Sequence, residues 1–441
     1  MYLKKIIVVV LALMAAVPMM AEKNKENEKK GVVKEHLENH FKFYGFIRNY
    51  FAYDSRESVS GTGNLFYYLP MDRKLNENGD DLNRQSQFRF LALTSRVGVD
   101  LSGYHAGNVH FGAKVEADFY AGLSGSTGTA TMRLRQAYAT VTWKELPMGG
   151  KEKAQVGLKM GQAWHPMAAD MPHVFCLEAG APFGPFSRTP QVTMDANLGK
   201  HWTITASALW QMQYTSSGPS GSTADYMKYG CTPEIYAGVT YKTKGFLARA
   251  GVDMVSIKPR KTGMLNGVEV KVDDRITTVS PFVFLQYSYK TFSVKAKTIY
   301  ASAGEHFNLM GGYAKVGENE DGSWNYAPTR NSSSWLSLSI GKKWQGVLFL
   351  GYMKNFGLSE GASKPLDKSE IYFCKNGFAN LNQMYRINPE VMYNFGKFTL
   401  GLEYQYTAVQ YGDNFNEWAL ATDNLRWVGN HRVQAMVKFT F

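Results

Sequence analysis

The feature that constrains this chain most is an alternation of apolar and polar residues that recurs from Phe41 to the last residue. Segments of about ten residues place their side chains on two opposite faces, as extended strands do. In VHFGAKVEADF, Val109 and Phe111 share one face, whereas Lys114 and Glu116 share the other. The pattern recurs in WTITASALWQMQY, TFSVKAKTIY and FTLGLEYQY. The sequence therefore predicts an all-β protein built from many short strands.

Alternation alone does not distinguish a soluble sandwich from a membrane barrel, because strands of both have one apolar face. Aromatic residues cluster at segment ends, as at Trp202 and Tyr214, which is typical of the interfacial girdles of membrane barrels. The connectors also alternate between a short class, such as 199–201, and a long class, such as 166–191. Tight turns on one side of a bilayer and longer loops on the other produce this alternation. We therefore expect a transmembrane antiparallel β-barrel.

The segments number about sixteen, the first starting near Phe41, the twelfth near Ser334 and the last near His431. An even number places both ends of the barrel on the same side of the membrane. The barrel must close, because an open sheet edge in hydrocarbon leaves backbone groups unpaired. A barrel of this size is too wide for wall side chains to fill, so an aqueous interior is expected.

The N-terminal region has a different character. Residues 1–21 have the parts of a secretory signal peptide: Lys4 and Lys5, the apolar run IIVVVLALMAAV and a small-residue end at Ala21. A membrane anchor is the less favoured alternative, since the apolar run is too short to span a bilayer. Residues 22–40 are expected to form a short charged periplasmic segment, either a short helix or a solvated leader. Residues 41–441 are expected to form the barrel, in the outer membrane of a Gram-negative bacterium.

Composition argues against several function classes. The formal net charge of +12, or +10 without Lys4 and Lys5, comes from basic residues scattered among acidic ones, so no nucleic-acid partner is expected. Cys176, Cys231 and Cys374 are too few for a disulfide framework. The sequence contains no P-loop, GxSxG, CxxC or HExxH motif. We therefore expect neither an enzyme, nor a cofactor, nor a metal site.

The polar face of the strands supplies charges of both signs, which are candidates for the pore lining. The inward basic residues are Arg48, Arg96, Lys114, Lys159, Arg249, Lys295, Lys297, Arg386, Arg432 and Lys438, and the inward acidic residues are Asp100, Glu116, Asp118, Asp195, Glu234, Asp253, Glu390 and Glu403. Arg133 and Arg135 join them, although Gln136 and Tyr138 make the parity of their strand ambiguous. The alternative for each residue is simple solvation, or pairing with a neighbour. The slight basic excess predicts a weak preference for anions.

The connector PMAADMPHVFCLEAGAPFGPFSRTPQ differs from the other loops, because it carries five prolines and three phenylalanines. Proline limits its conformations and the aromatic rings favour burial, so we expect this loop to fold against the inner wall. It would then bring Asp170, Glu178 and Arg188 to a narrow opening, opposite wall arginines. An external lid or a contact between subunits is the alternative.

Three stretches resemble a known family. FKFYGFIRNYFAYDSR at the first strand, with GQAWHP and GAPFGPFSRTPQV around the fifth and sixth, is similar to DcaP-like trimeric outer-membrane porins. The resemblance implies a sixteen-stranded homotrimer with an inward-folded third loop that admits small, often anionic, solutes. That family can carry a longer N-terminal coiled coil, whereas residues 22–40 here offer at most two or three helical turns.

Pattern and resemblance together favour a porin, a water-filled channel for passive diffusion of small hydrophilic solutes, surrounded by outer-membrane lipid. A surface adhesin or structural barrel, and an outer-membrane barrel enzyme, are the alternatives. Phe439 and Phe441 lie on the apolar face of the last segment. This ending resembles the C-terminal signal by which the barrel-assembly machinery recognises its substrates.

Overall fold

The structure is a computed structural model of the chain, and it describes residues 40–61, 66–92, 94–119, 123–124, 129–147, 153–174, 180–373 and 379–441. The predicted signal peptide, the charged segment before His40, and Cys176, Glu178 and Cys374 lie outside the described residues. Within the described ranges, no helix is long and apolar enough to cross a bilayer.

The wall of the molecule consists of sixteen long antiparallel strands among the described residues. They are β1 (Phe41–Asp54), β2 (Arg96–Ala106), β3 (Val109–Asp118), β4 (Arg133–Pro147), β5 (Lys153–Trp164), β6 (Arg188–Leu198), β7 (Trp202–Leu209), β8 (Glu234–Lys242), β9 (Phe246–Ile257), β10 (Ile276–Tyr289), β11 (Phe292–Ser302), β12 (Trp324–Gly341), β13 (Trp344–Leu358), β14 (Leu381–Phe395), β15 (Phe398–Phe415) and β16 (Ala421–Thr440).

The sheet closes on itself. Each strand pairs with the next along the chain, and β16 pairs with β1 from Phe46↔Thr440 to Asp54↔Arg432. A separate strand, Gln87–Leu91, pairs with Tyr50–Asp54 of β1, on the same side of β1 on which β2 pairs with Phe41–Phe46. Closure leaves no strand edge open to lipid, which satisfies the backbone in hydrocarbon. The predicted sixteen-stranded antiparallel barrel is confirmed.

The outer face of the barrel is apolar, as the alternation predicts. On β1, Phe43, Ile47 and Phe51 are 40–60% exposed, whereas Tyr50 and Ala52, of opposite parity, are buried. The same division recurs around the wall, where the exposed side chains include Phe, Trp, Ile, Leu and Val. In a membrane this face meets lipid tails and the inward face meets the lumen.

Short and long connectors take turns around the barrel, as predicted. Turns such as 107–108, 199–201 and 396–397 lie at one end, and eight longer connectors lie at the other. Three of the long connectors are loop 1 (residues 55–95), loop 3 (165–187) and loop 6 (303–323). The loops hold the smaller elements: an α-helix at Asp225–Gly230, 3-10 helices at Pro166–Ala168, Gly304–Phe307 and Lys368–Glu370, and strands at Ser58–Gly61, Phe66–Pro70, Leu123–Ser124, Thr129–Ala130, Ser217–Gly218, Gly221–Ser222, Thr262–Leu265, Val268–Lys271, Gly312–Glu318 and Ile371–Phe373.

Two strands extend further than the sequence predicts. β12 begins at Trp324 instead of near Ser334, and β16 at Ala421 instead of near His431. The first additional residues of β12, from Trp324 to Pro328, pair with Gly312–Glu318, and the additional residues of β16 pair with the end of β15. These extensions belong to the loop end of the barrel. Polar side chains such as Asn325, Asp423 and Asn424 are exposed there, so the apolar alternation that marks a lipid-facing strand is absent.

The interior contains an apolar core that the sequence analysis missed. Inward aromatic residues of the wall, including Phe282, Phe284, Trp335 and Phe349, are buried in one cluster. Loop residues fill the space in front of them: Phe66, Tyr68 and Leu69 from loop 1, Ala181, Phe183 and Phe186 from loop 3, and Phe307, Leu309 and Met310 from loop 6. The loops therefore occupy part of the barrel interior that the wall side chains do not fill.

Candidate functional site

Loop 3 lies inside the barrel, against the inner wall. The wall holds it by polar contacts to its backbone: Lys295 Nζ donates to Met171 O at 3.0 Å, Lys297 Nζ donates to Met167 O, and Arg386 Nη1 donates to Ala181 O at 3.1 Å. Charge-assisted hydrogen bonds of this kind are stronger than neutral ones. The inward fold of this loop, predicted from its prolines and phenylalanines, is present in the structure.

One ion pair also links loop 3 to the wall. Asp170 accepts a hydrogen bond from Arg249 Nη1 at 2.7 Å. This is the arrangement expected from the sequence, an acidic loop residue opposite a wall arginine. The ion pair and the backbone contacts hold the loop to several strands, so its position in the lumen is fixed.

Apolar side chains of loop 3 also pack against the barrel wall. Phe183 lies on Gly351 of β13, where an added Cβ would come within 2.6 Å of the ring. Phe186 packs edge-on against Trp164, with ring centroids 5.1 Å apart. The absence of a side chain at Gly351 is therefore what allows Phe183 to reach the wall.

Loop 1 also enters the barrel, which corrects the expected roles of Arg386 and Arg432. Arg386 is 2% exposed and donates to Tyr68 O at 2.7 Å, and Arg432 is fully buried and pairs with Asp54 at 3.3 Å. Both guanidinium groups lie over the Tyr67 ring, at 5.1 Å and 5.3 Å. These two arginines anchor loop 1 instead of facing an open lumen. Sequence alone did not reveal this, because FYYLP lies in an otherwise polar loop.

A second set of the predicted residues forms one charged cluster on β2, β3 and β4. Arg135 contacts Glu116 at 2.6 Å and Asp118 at 2.8 Å, and Arg133 binds Asp118 through two hydrogen bonds of 3.0 Å. Arg96 lies 3.7 Å from Glu116. The side chains of Arg96 and Arg133 are 22–23% exposed. Through Arg96 and Arg133 the cluster therefore keeps contact with solvent, whereas Arg135, Glu116 and Asp118 are buried.

A β-bulge explains the ambiguous parity of β4. The pairing of β3 with β4 shifts register between Glu116 and Ala117. Because a bulge adds one residue to one strand, it changes which side-chain parity faces inward. Arg133 and Arg135 therefore share the lumenal side with Gln136 and Tyr138.

The remaining predicted residues lie in varied surroundings. Three are partly exposed: Arg48 donates to Thr94 at 2.9 Å, Lys114 pairs with Asp100 at 2.9 Å, and Lys159 lies 5.5 Å from the Tyr138 ring centroid. Arg188 is buried, with its guanidinium 4.8 Å from the Trp164 ring centroid, and it donates to Gln213 at 3.2 Å. Glu390 and Glu403 are also buried, and Glu403 accepts a hydrogen bond from Asn388 at 3.1 Å. Near the short-turn end, a cavity of about 450 Å³ opens beside Asp100, Lys114 and Thr140. Partly exposed charges of the predicted set lie on β1 to β5 and also, on other strands, at Asp195, Arg249, Lys295 and Lys438.

The sequence analysis also missed a group of buried ionisable residues. His165, Glu234, Asp253 and His306 come together from loop 3, β8, β9 and loop 6. Beside them, burial raises the pKa of the Glu305 carboxyl to about 7. Glu234 and Asp253 were expected to face inward, but each histidine stands alone in its loop sequence. Only the folded chain brings the four side chains together.

Comparison with known proteins agrees with this architecture. The model of the family described as DcaP outer membrane protein matches residues 13–147. The match includes FKFYGFIRNYFAYDSR and ends before GQAWHP. The resemblance predicted from the sequence is thereby confirmed. A search of curated protein sequences finds no match.

Among solved structures, the outer membrane channel DcaP of Acinetobacter baumannii matches 91% of this chain and 97% of its own, with a TM-score of 0.61 and 18% identity. An anion-selective porin from Comamonas acidovorans matches 91% of this chain and 99% of its own, with a TM-score of 0.51 and 10% identity. Salmonella typhi OmpF in complex with daunomycin matches 91% and 98%, with a TM-score of 0.51 and 12% identity. The fold is that of outer-membrane channels, which supports an outer-membrane location.

Proposed function

We propose that this chain, which resembles the DcaP outer membrane protein family, forms a water-filled channel through which small hydrophilic solutes diffuse passively. The observation that carries the proposal is the asymmetry of the lumen. Loops 1, 3 and 6 pack together in an apolar cluster inside the barrel, whereas charged side chains of β2 to β4 keep contact with solvent. A closed barrel with a polar, accessible inner surface is the arrangement that a diffusion channel requires.

The loops that are anchored to the wall are proposed to set the width of the aqueous path through the barrel. Loop 3 is held by Arg249, Lys295, Lys297 and Arg386, and its residues Phe183 and Phe186 are buried. A loop fixed at this many points narrows the lumen permanently instead of opening and closing. The channel is therefore proposed to be constitutively open and selective by size and charge.

Charge on the accessible wall is proposed to favour anions weakly. The predicted residues on β1 to β5 comprise six basic and three acidic side chains: Arg48, Arg96, Lys114, Lys159, Arg133 and Arg135, against Asp100, Glu116 and Asp118. Of these, Arg135, Glu116 and Asp118 are buried, which leaves five partly exposed basic side chains against one acidic side chain. A modest positive potential over a wet pore biases ion flow without excluding cations. The likeness in fold to an anion-selective porin supports this direction of preference.

The same proposal covers export and assembly. Residues 1–21 are proposed to direct export and then to be removed, residues 22–40 to form a short periplasmic segment, and the C-terminal strand to engage the barrel-assembly machinery. A homotrimer is proposed on the strength of the DcaP-like resemblance. Exposed aromatic residues of the outer face, such as Phe43 and Phe51, are proposed to contribute to the contacts of this trimer.

Planar lipid bilayers provide the test. Folded protein added to one side should produce discrete, lasting steps of current, and an equal amount of the same sample denatured by boiling should produce none. Folding is verified first by the shift in gel mobility between heated and unheated samples. A flat current from protein that passes this check would contradict the channel and favour a structural barrel or adhesin.

A further inference from the structure

Four buried side chains meet where loops 3 and 6 contact the barrel wall. His165 follows β5, Glu234 begins β8, Asp253 lies on β9, and His306 lies in loop 6; all four side chains are 1–2% exposed. One ligand atom each from His165, Glu234 and Asp253 lie within 4.8 Å of one another. Two ionised carboxylates this deeply buried are costly unless nearby positive charge compensates them.

The protein side chains do not supply enough of this charge. Nδ1 of His165 accepts a hydrogen bond from the Met167 N–H at 3.1 Å, so its single proton is on Nε2, which donates to Glu234 Oε1 at 2.7 Å. His165 is therefore neutral. Among the described residues, no arginine or lysine forms an ion pair with Glu234 or Asp253. A protonated His306 alone cannot balance two carboxylates.

His306 points to what completes the cluster. Both of its ring nitrogens are buried, and neither has a hydrogen-bond partner among the described residues. Its Nε2 lies 3.5 Å from Asp253 Oδ2 and 3.8 Å from Glu234 Oε1. These distances are long for hydrogen bonds, but ligand atoms around a tetrahedral ion with bonds of about 2.1 Å lie about 3.4 Å apart. We propose that Glu234, Asp253 and His306 bind a divalent transition-metal ion of the Zn²⁺ type.

The chemistry of the ligand set supports this class of ion. An imidazole nitrogen with carboxylate oxygens suits Zn²⁺, whereas Ca²⁺ and Mg²⁺ prefer six or more oxygen ligands. The two charges of the ion balance the two carboxylates. His165 then acts as a positioning residue, because its hydrogen bond orients the Glu234 carboxylate, as partners of metal ligands commonly do.

The proposed ion would have a structural role. It would fasten loop 6, through His306, to β8 and β9, and the His165–Glu234 bond would extend the link to the start of loop 3. The far end of loop 3 is already joined to loop 6, since the Phe186 N–H donates to Phe307 O at 2.9 Å. Both loops that narrow the lumen would thus be tied to one point of the wall.

Zinc content after folding is the direct test. The full chain is folded in detergent micelles with Zn²⁺, desalted through buffer containing a weak chelator, and analysed by mass spectrometry. Unmodified protein should retain about one Zn²⁺ per chain, and His306→Gln at least about tenfold less. His173→Gln is the matched control, because His173 lies in loop 3 but faces Ser293 Oγ at 3.4 Å; it should retain zinc like the unmodified protein.

Two results would overturn the proposal: equal zinc in His306→Gln and unmodified protein, or less than about a tenth of an ion per chain in the unmodified protein. A second measurement does not depend on any variant folding. Co²⁺ loaded in place of Zn²⁺ should give the intense visible absorption of a tetrahedral site in the unmodified protein. If His306→Gln does not fold, the Co²⁺ spectrum of the unmodified protein is the deciding measurement. Absence of that absorption would also overturn the proposed metal site.

Discussion

Replacing Gly45 with alanine probes how the first and last strands close the barrel. Gly45 N donates to Phe441 O at 3.3 Å, and Phe441 N donates to Gly45 O at 3.1 Å. A Cβ at Gly45 would lie 2.5 Å from the Arg96 carbonyl oxygen and 2.6 Å from Phe441 Cζ. Because non-bonded heavy atoms pack at about 3.5 Å, each contact is roughly 1 Å too short.

The two obstacles differ in how easily they move. The Phe441 ring is 48% exposed and can turn aside. The Arg96 carbonyl belongs to the backbone pairing of β1 with β2, so it moves only if the strands separate locally. Overpacking that shifts backbone costs about 1–3 kcal/mol. We expect Gly45→Ala to lower the free energy of unfolding by that amount.

The assay is urea titration of tryptophan fluorescence for protein folded into lipid vesicles. Gly346→Ala is the matched control, because the nearest atom to a Cβ there is Ile340 Cγ2 at 3.9 Å; its effect should stay within about 0.5 kcal/mol. Adding Phe441→Ala to Gly45→Ala should recover little stability, since the Arg96 carbonyl remains. Equal unfolding midpoints for Gly45→Ala and Gly346→Ala would refute this account of strand closure.

Three further predictions concern assembly and selectivity. Deleting Phe441 should lower the amount of folded barrel in the outer membrane while leaving the conductance of assembled protein unchanged, because the residue lies on the outer face; an unchanged folded yield would contradict this. The folded protein should migrate as a heat-sensitive trimer on a denaturing gel, and a strictly monomeric barrel by light scattering in mild detergent would count against the trimer. Under a salt gradient, the zero-current potential should show weak anion preference and move toward cation selectivity in Arg96→Ala and Arg133→Ala, since both remove positive charge from the accessible wall. Arg432→Ala is the comparison at a buried position beneath loop 1, and it should shift the zero-current potential less than Arg96→Ala and Arg133→Ala do. A larger shift in Arg432→Ala would show that Arg96 and Arg133 do not set the potential of the pore.

The barrel was largely predictable because a strand between lipid and water must alternate. Phe43, Ile47 and Phe51 follow that rule, and strand number and the order of short and long connectors follow from it. The rule fails where the surroundings of a strand change. The bulge between β3 and β4 obscured the parity of Arg133. The start of β12 at Trp324 was missed because exposed polar residues such as Asn325 replace the apolar outer face there.

Contacts between loops were not predictable from local pattern. The prolines and phenylalanines of loop 3 indicated its burial along most of the loop, whereas in loop 1 the aromatic residues of Phe66–Pro70 form one short run in an otherwise polar loop. Its insertion is what converts Arg386 and Arg432 from expected pore residues into anchors. The four-residue cluster with His306 likewise depends on segments far apart in the chain, which only tertiary structure brings together.

The central claim is that solutes pass along the charged side of the lumen, and thiol modification during current recording tests it most directly. In a background with Cys176, Cys231 and Cys374 replaced by serine, Thr140→Cys places a thiol on β4 beside the lumenal cavity. Ser337→Cys places one beneath loop 3, at a fully buried position that accepts a hydrogen bond from His173 N. A charged methanethiosulfonate reagent should change the current of Thr140→Cys in discrete steps and leave Ser337→Cys unaffected. A current that changes only in Ser337→Cys, or in neither variant, would contradict the proposed path.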